Sequence, residues 1–383
     1  MWSWRLARVF GIDINVHLSF LLVIVLGAMQ WGSFGVEGAV FGAVLTLLTF
    51  ASVTLHELGH SLVAQAFGIP VKDITLYPIG GVARLGKRPK TAGQELLIAL
   101  AGPAVNVVLV FVLGALGAWA FGLEAMQHAL QLGRTEDPTV VTLLATLVLS
   151  NAVLAVFNMI PALPMDGGRV LRAVLSWFMG AQQATRVSAF IARVLAVGLF
   201  ALGVFYNPML TLIAVFVFVG AGQEVQEQKI SRILDGVQSA DAVDPWAPRF
   251  APDSTLADAV NVLTRTNWDA FAVEHFGRLV GVVTRADVLK AAQDQGPYAY
   301  VAGVMRRTAP VVDGREPLEA ARFKMNESGE PFVAVVRDGL FLGLITELEL
   351  VTVAERMAKA GFQRNDATLA PEVSLEVGKR SNW

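Results

Sequence analysis

Apolar residues dominate the chain in long blocks up to about residue 224 and then break into short runs. Crossing roughly 30 Å of hydrocarbon takes about 20 helical residues. Blocks of that order predict spans near 14–33, 36–67, 95–121, 139–161, 187–205 and 208–224. Beyond Gln223 the pattern changes to short alternating runs beside amphipathic stretches, as expected of a soluble α/β module. Within that module the chain repeats itself at an offset of 62 residues: GVVTRADVL from Gly281 falls on GLITELELV from Gly343. The strand pattern at 270–273 falls on 332–335, and Leu256 and Ala259 fall on Leu318 and Ala321. The expected fold class is a polytopic α-helical membrane domain of about six transmembrane helices followed by a soluble α/β tandem repeat. Its boundaries are 1–225 for the membrane domain, 237–293 and 299–360 for the repeats, and 361–383 for a polar, disordered tail.

Composition sharpens this picture. Of 383 residues, 54% are hydrophobic and only 16% charged, which excludes an ordinary soluble enzyme. The chain has no cysteine, so disulfides, thiolate metal ligands and cysteine nucleophiles are excluded. The net charge of −2 conceals an uneven distribution. Arg5 and Arg8 precede the first span, which reads as an uncleaved helix. Lys72, Arg84, Lys87, Arg88 and Lys90 lie between spans two and three, and Arg169, Arg172 and Arg186 between four and five. Basic loops stay in the cytoplasm. The 122–138 loop carries Glu124, Glu136 and Asp137 against Arg134 and belongs outside. Six spans then put both termini in the cytoplasm of a plasma-membrane protein, with Trp2, Trp4 and Trp31 as interface anchors.

The sharpest motif is HELGH, 56–60, near the cytoplasmic end of the second span. Positions i and i+4 share a helix face, so His56 and His60 can reach one metal ion, with Glu57 beside them as a general base. Ionisable residues in a span are costly and read as functional. A catalytic zinc needs a third protein ligand. His17 lies in the first span, His128 in the outward loop and His275 in the soluble repeat. Asp166, in NMIPALPMDGG after span four, shares the side and depth of HELGH. Pro161, Pro164, Gly167 and Gly168 break the helix there, which also suits a plain turn at a membrane exit.

HELGH together with Asn158, Pro161, Pro164, Asp166 and Gly167 resembles the site-2 protease family of intramembrane zinc metalloproteases, peptidase family M50. The AGPAVN run ending at Asn106 resembles that family's third core span. The resemblance covers residues 1 to about 225. The internal repeat resembles a tandem pair of CBS domains. What this implies is one zinc ion held by His56, His60 and Asp166, Glu57 as base, a single-span membrane protein as substrate, and the bilayer as its setting. Asn158 is a candidate oxyanion donor or an interhelical hydrogen-bond partner; Asn106 is equally a site or a structural residue. Because a helix hides its peptide bonds, the substrate must unwind. The stretch 74–85, ITLYPIGGVARL, predicts a small sheet at the membrane surface whose edge accepts an extended strand, or a plain amphipathic connection.

In CBS families a T-x-x-D pattern after the last strand holds an adenine nucleotide. Thr284 and Asp287 match it, whereas the second repeat has Thr346 and Glu349, so one competent site is expected. The alternative is a pair that only dimerises. A CBS-regulated transporter or channel is the rival function, but it leaves HELGH and Asp166 unexplained. No nucleic-acid partner is expected.

Overall fold

The computed structural model describes residues 3–78, 80–132 and 137–367. They form two units, Met1–Gln228 and Lys229–Trp383.

The first unit begins with strands. β1 (Ser3–Val9) and β2 (Ile12–His17) form an antiparallel hairpin. A short helix, α1 (Phe20–Gln30), leads through a 3-10 turn into the long α2 (Gly35–Ala66). The chain then returns to the sheet as β3 (Val71–Tyr77), parallel to β2, and β4 (Gly80–Leu85), antiparallel to β3. The strand order is β1-β2-β3-β4. Thus 74–85 does form a sheet, but one of four strands. The expected span 14–33 is corrected: 14–17 belong to strand β2, and only 20–30 form an α-helix, followed by the 3-10 turn. Ile12, Ile14 and Val16 alternate with Asp13, Asn15 and His17, the period of a strand with one buried face. That face packs on Leu58, Ala64, Ile69 and Ile98. α1 lies on the first half of α2, with Phe20 edge-on to Phe50 at 4.6 Å and Trp31 against Phe41 at 4.5 Å. Trp31 is therefore buried rather than an interface anchor, while Trp4 is exposed and Trp2 lies outside the described residues.

The remaining elements of this unit are helical: α3 (Ala92–Phe121), α4 (Leu123–Leu132), α5 (Val140–Asn158), α6 (Asp166–Met179), α7 (Ala181–Tyr206) and α8 (Pro208–Asp235). Thr91 and Thr139 cap α3 and α5 by accepting backbone N–H bonds. Among the described residues five helices, not six, are long and apolar enough to cross a membrane: α2, α3, α5, α7 and α8. α1 and α2 leave and rejoin one sheet, in which β2 and β3 are hydrogen-bonded neighbours. α4 and α6 are amphipathic helices within the expected loops. Met126 and Ala129 of α4 join Ala145 and Val148 of α5 in one cluster.

The second unit carries the repeat. β5 (Arg249–Phe250), α9 (Leu256–Arg265), β6 (Ala270–His275), β7 (Arg278–Thr284) and α10 (Arg285–Gln295) make the first copy. β8 (Val311–Asp313), α11 (Leu318–Ser328), β9 (Phe332–Arg337), β10 (Leu340–Thr346) and α12 (Glu347–Ala367) make the second. The offset of 62 residues carries each strand start of one copy onto the other. Even the hairpin turns correspond: Phe276 and Gly277, like Asp338 and Gly339, take positive φ at both central positions, which suits the right-handed twist of the strands. Each copy has its own core, and Ala270, Ala272 and Val282 of one sheet meet Phe332, Ala334, Phe341 and Leu344 of the other. α12 continues to Ala367, past residue 361 where the polar tail was expected to begin; 368–383 lie outside the described residues.

Candidate metal centre

α2 delivers His56, Glu57 and His60 from its last three turns. The two imidazoles meet edge to face, centroids 4.7 Å apart. Asp166 arrives from the other side as the first residue of α6. A Cβ on Gly167 would lie 2.4 Å from the Met159 carbonyl carbon and the Ile160 oxygen, and one on Gly168 2.3 Å from the Leu163 nitrogen. The chain after α5 folds back so tightly that only glycine fits, and this seats Asp166 against α2. α6 is fixed by Arg172, whose guanidinium donates to Glu95 of α3 and Glu224 of α8.

The ligand atoms converge. Asp166 Oδ2 lies 3.2 Å from His56 Nε2 and 3.1 Å from His60 Nε2, and the two Nε2 atoms are 3.0 Å apart. Tetrahedral zinc ligands at 2.0–2.1 Å from the metal stand about 3.3–3.4 Å from one another, within a few tenths of these spacings. His60 Nδ1–H donates to the Ile98 carbonyl at 2.6 Å, and His56 Nδ1–H donates to Asn106 Oδ1. A neutral imidazole that donates through Nδ1 has only a lone pair at Nε2. Two lone pairs and a carboxylate oxygen then face one point, a mutually repulsive set that a cation satisfies, so these residues fit a metal ion.

α3 is shaped to the pair. A Cβ on Gly102 would stand 2.2 Å from His60 Nε2 and 2.6 Å from His56 Nε2. Pro103 lacks the N–H that would bind the carbonyl one turn back, which loosens α3 beside the Ile98 carbonyl that His60 uses. Asn106, one turn on, receives His56. The AGPAVN run is thus the platform beneath HELGH. Glu57 stands under β4, where a Cβ on Gly81 would meet its Cγ at 2.6 Å.

Other residues singled out by sequence lie apart from this cluster. Asn158 ends α5, half-buried and outside the cluster's hydrogen bonds. His17 ends β2, where its Nδ1 pairs with the Ser19 hydroxyl at 2.6 Å. His128 is in α4 and His275 in β6. Two residues that no motif marks, Asn151 and Ser52, are joined to the cluster through Asn106. In the second unit Thr284 and Asp287 form a capping box at the start of α10, the Thr284 hydroxyl donating to Asp287 at 2.7 Å. Arg306 donates to the same carboxylate at 3.0 Å. Burial raises the Asp287 carboxyl, but Arg306 and Thr284 outweigh it and hold it low. Thr346 and Glu349 repeat the local geometry.

The model of peptidase family M50 matches residues 43–202, and the CBS domain model matches 248–294 and 301–356. A zinc metalloprotease of Methanocaldococcus jannaschii is 32% identical over 353 residues, spanning 91% of this chain and 95% of that one. A Synechocystis sp. protein whose name carries the same activity provisionally is 29% identical, spanning 92% and 96%. Among solved structures, the site-2 protease from Methanocaldococcus jannaschii matches 58% of this chain and 95% of that one at 39% identity, with a TM-score of 0.42. The chain belongs to peptidase family M50, the site-2 proteases, and carries a tandem CBS pair.

Proposed function

We propose that this protein is an intramembrane zinc metalloprotease that hydrolyses peptide bonds of single-span membrane proteins. The observation that carries the reading is the convergence of His56 Nε2, His60 Nε2 and Asp166 Oδ2 within 3.0–3.2 Å, with both imidazoles donating elsewhere through Nδ1. Those three atoms would hold the zinc, which when bound supplies Lewis acidity toward water and toward the scissile carbonyl. Glu57 accepts the proton of the attacking water and passes it to the departing amide nitrogen, so that water is added across the C–N bond. Asn158 is retained as a donor toward the developing oxyanion. β4 is an edge strand whose Gly81 lies beside Glu57. A substrate segment unwound along that edge gains backbone hydrogen bonds and presents its carbonyls to the base. The basic loops favour cytoplasmic termini in the plasma membrane. The test is to compare the membrane proteomes of cells with the protein and with its Glu57→Gln variant: trimmed single-span proteins should appear only with the former, and identical proteomes would count against the reading.

The CBS pair is proposed to bind one adenine nucleotide at Thr284 and Asp287 and thereby to set protease activity. Its ribose would have to displace Arg306 from Asp287. Regulation requires that the nucleotide bind active and inactive arrangements with unequal affinity. Binding to the full-length protein, with and without Asp287→Ala, should parallel a change in cleavage. Binding that leaves cleavage insensitive would reduce the pair to a structural or dimerising role.

A further inference from the structure

Behind His56 runs a chain of hydrogen bonds that the hydrolytic reaction does not itself use. Asn106 and Asn151 are fully buried in the apolar spans α3 and α5, and Ser52 of α2 is nearly so. His56 Nδ1–H donates to Asn106 Oδ1. Asn106 Nδ2 donates to Asn151 Oδ1 at 2.8 Å. Asn151 Nδ2 donates to Ser52 Oγ at 3.2 Å and to the Leu147 carbonyl at 2.9 Å. Ser52 Oγ donates to the Leu48 carbonyl at 3.2 Å. Every bond points the same way, from the imidazole to a backbone carbonyl. The far end fixes the direction, because a carbonyl can only accept. An amide flip at Asn151 would aim its oxygen at Leu147 and its NH2 at the NH2 of Asn106. A flip at Asn106 would aim its NH2 at the Nδ1–H of His56. Each flip leaves buried donors without acceptors, which is costly where no water can substitute.

We infer that the buried Asn106–Asn151–Ser52 chain is a positioning device that locks His56 in its Nδ1–H tautomer and so holds its Nε2 lone pair toward the metal. His60 needs no such chain, since its Nδ1–H is taken by the backbone carbonyl of Ile98. The centre is therefore asymmetric: one ligand is oriented by main chain, the other by side chains from three helices. Outer-shell partners of this kind alter metal affinity by about 10–100-fold when removed. Asn151 and Ser52 would thus influence the metal without touching it or its ligands.

This inference rests on the metal centre proposed above, and the experiment separates the two. Zinc affinity is measured on the purified full-length protein by competition with a chelator, alongside thermal unfolding of the metal-free form. Asn106→Ala should weaken zinc by about 10–100-fold, and Asn151→Ala should weaken it as well. The double variant should bind no more weakly than Asn106→Ala alone, because both changes break one chain. Asn106→Asp, which keeps an acceptor for His56, should recover affinity relative to Asn106→Ala. In 15N-histidine spectra of the metal-free protein, His56 should be the Nδ1–H tautomer in the wild type and shift toward Nε2–H in Asn151→Ala. If Asn106→Ala fails to fold, Asn151→Ala and Ser52→Ala carry the test. Lowered melting with unchanged zinc affinity and unchanged tautomer, or strictly additive losses in the double variant, would overturn the inference. Wild-type protein that binds no zinc would instead overturn the centre itself.

Discussion

Adding one methyl group to Gly102 should silence the protein. Its Cβ would sit 2.2 Å from His60 Nε2 and 2.6 Å from His56 Nε2. Ordinary carbon contacts begin near 3.5 Å, so the imidazoles would have to retreat by about 1 Å or α3 would have to back away by as much. Metal sites tolerate about 0.2 Å in bond length, several times less than this shift. A displacement of about 1 Å in a reacting group costs on the order of 100-fold in rate, and the same factor in zinc affinity corresponds to about 2.7 kcal/mol. Overpacking would add about 1–3 kcal/mol of destabilisation. Gly114→Ala is the control on the same helix, since a Cβ there meets nothing within 4 Å. Bound zinc and cleavage of a membrane-spanning reporter should both collapse in Gly102→Ala and stay at wild-type levels in Gly114→Ala. Full zinc occupancy with undiminished cleavage in Gly102→Ala would refute the view that both Nε2 atoms face a shared ion beneath α3.

Three further outcomes are expected. Gly81→Val should lower the turnover of cleavage while leaving zinc content intact, because its Cβ would press on Glu57 Cγ at 2.6 Å without reaching a ligand. Reporter fusions after residues 90 and 225 should read cytoplasmic and one near residue 130 external; a cytoplasmic signal at 130 would undo the alternation of the spans. Asp287 is held below the ordinary carboxylate value of about 3.9, so its contribution to stability is present above that pH and is lost as the pH falls through the lower, folded value. Accordingly Asp287→Asn should flatten the acid limb of the unfolding profile, and an unchanged limb would show the Arg306 pairing to be inconsequential.

What the sequence made legible follows from the range of each signal. HELGH places two histidines on one helix face by local periodicity alone, and in the structure their Nε2 atoms stand 3.0 Å apart. The offset of 62 residues located both copies of the second unit because an internal repeat needs no knowledge of packing. Asp166 was legible as a carboxylate at a broken helix, although its 3.1–3.2 Å approach to the imidazoles depends on two glycines packed against backbone. The first span misled because the apolar positions of β2 lead within a few residues into the apolar α1. The alternation of Ile12, Ile14 and Val16 with Asp13, Asn15 and His17 was the available sign of a strand. Asn151 and Ser52 could not have been read in advance, since partners 45 and 99 residues apart in sequence meet only through helix packing. Asn106, left open between structure and site, hydrogen-bonds both Asn151 of α5 and His56 of α2.

The central claim separates the residues that hold the metal from the residue that moves the proton. Zinc content and cleavage of a membrane-spanning substrate, measured together on purified Glu57→Gln and Asp166→Ala, test it most directly. Glu57→Gln should retain stoichiometric zinc and lose cleavage, whereas Asp166→Ala should lose both. Cleavage surviving Glu57→Gln, or zinc lost equally from both variants, would contradict the account.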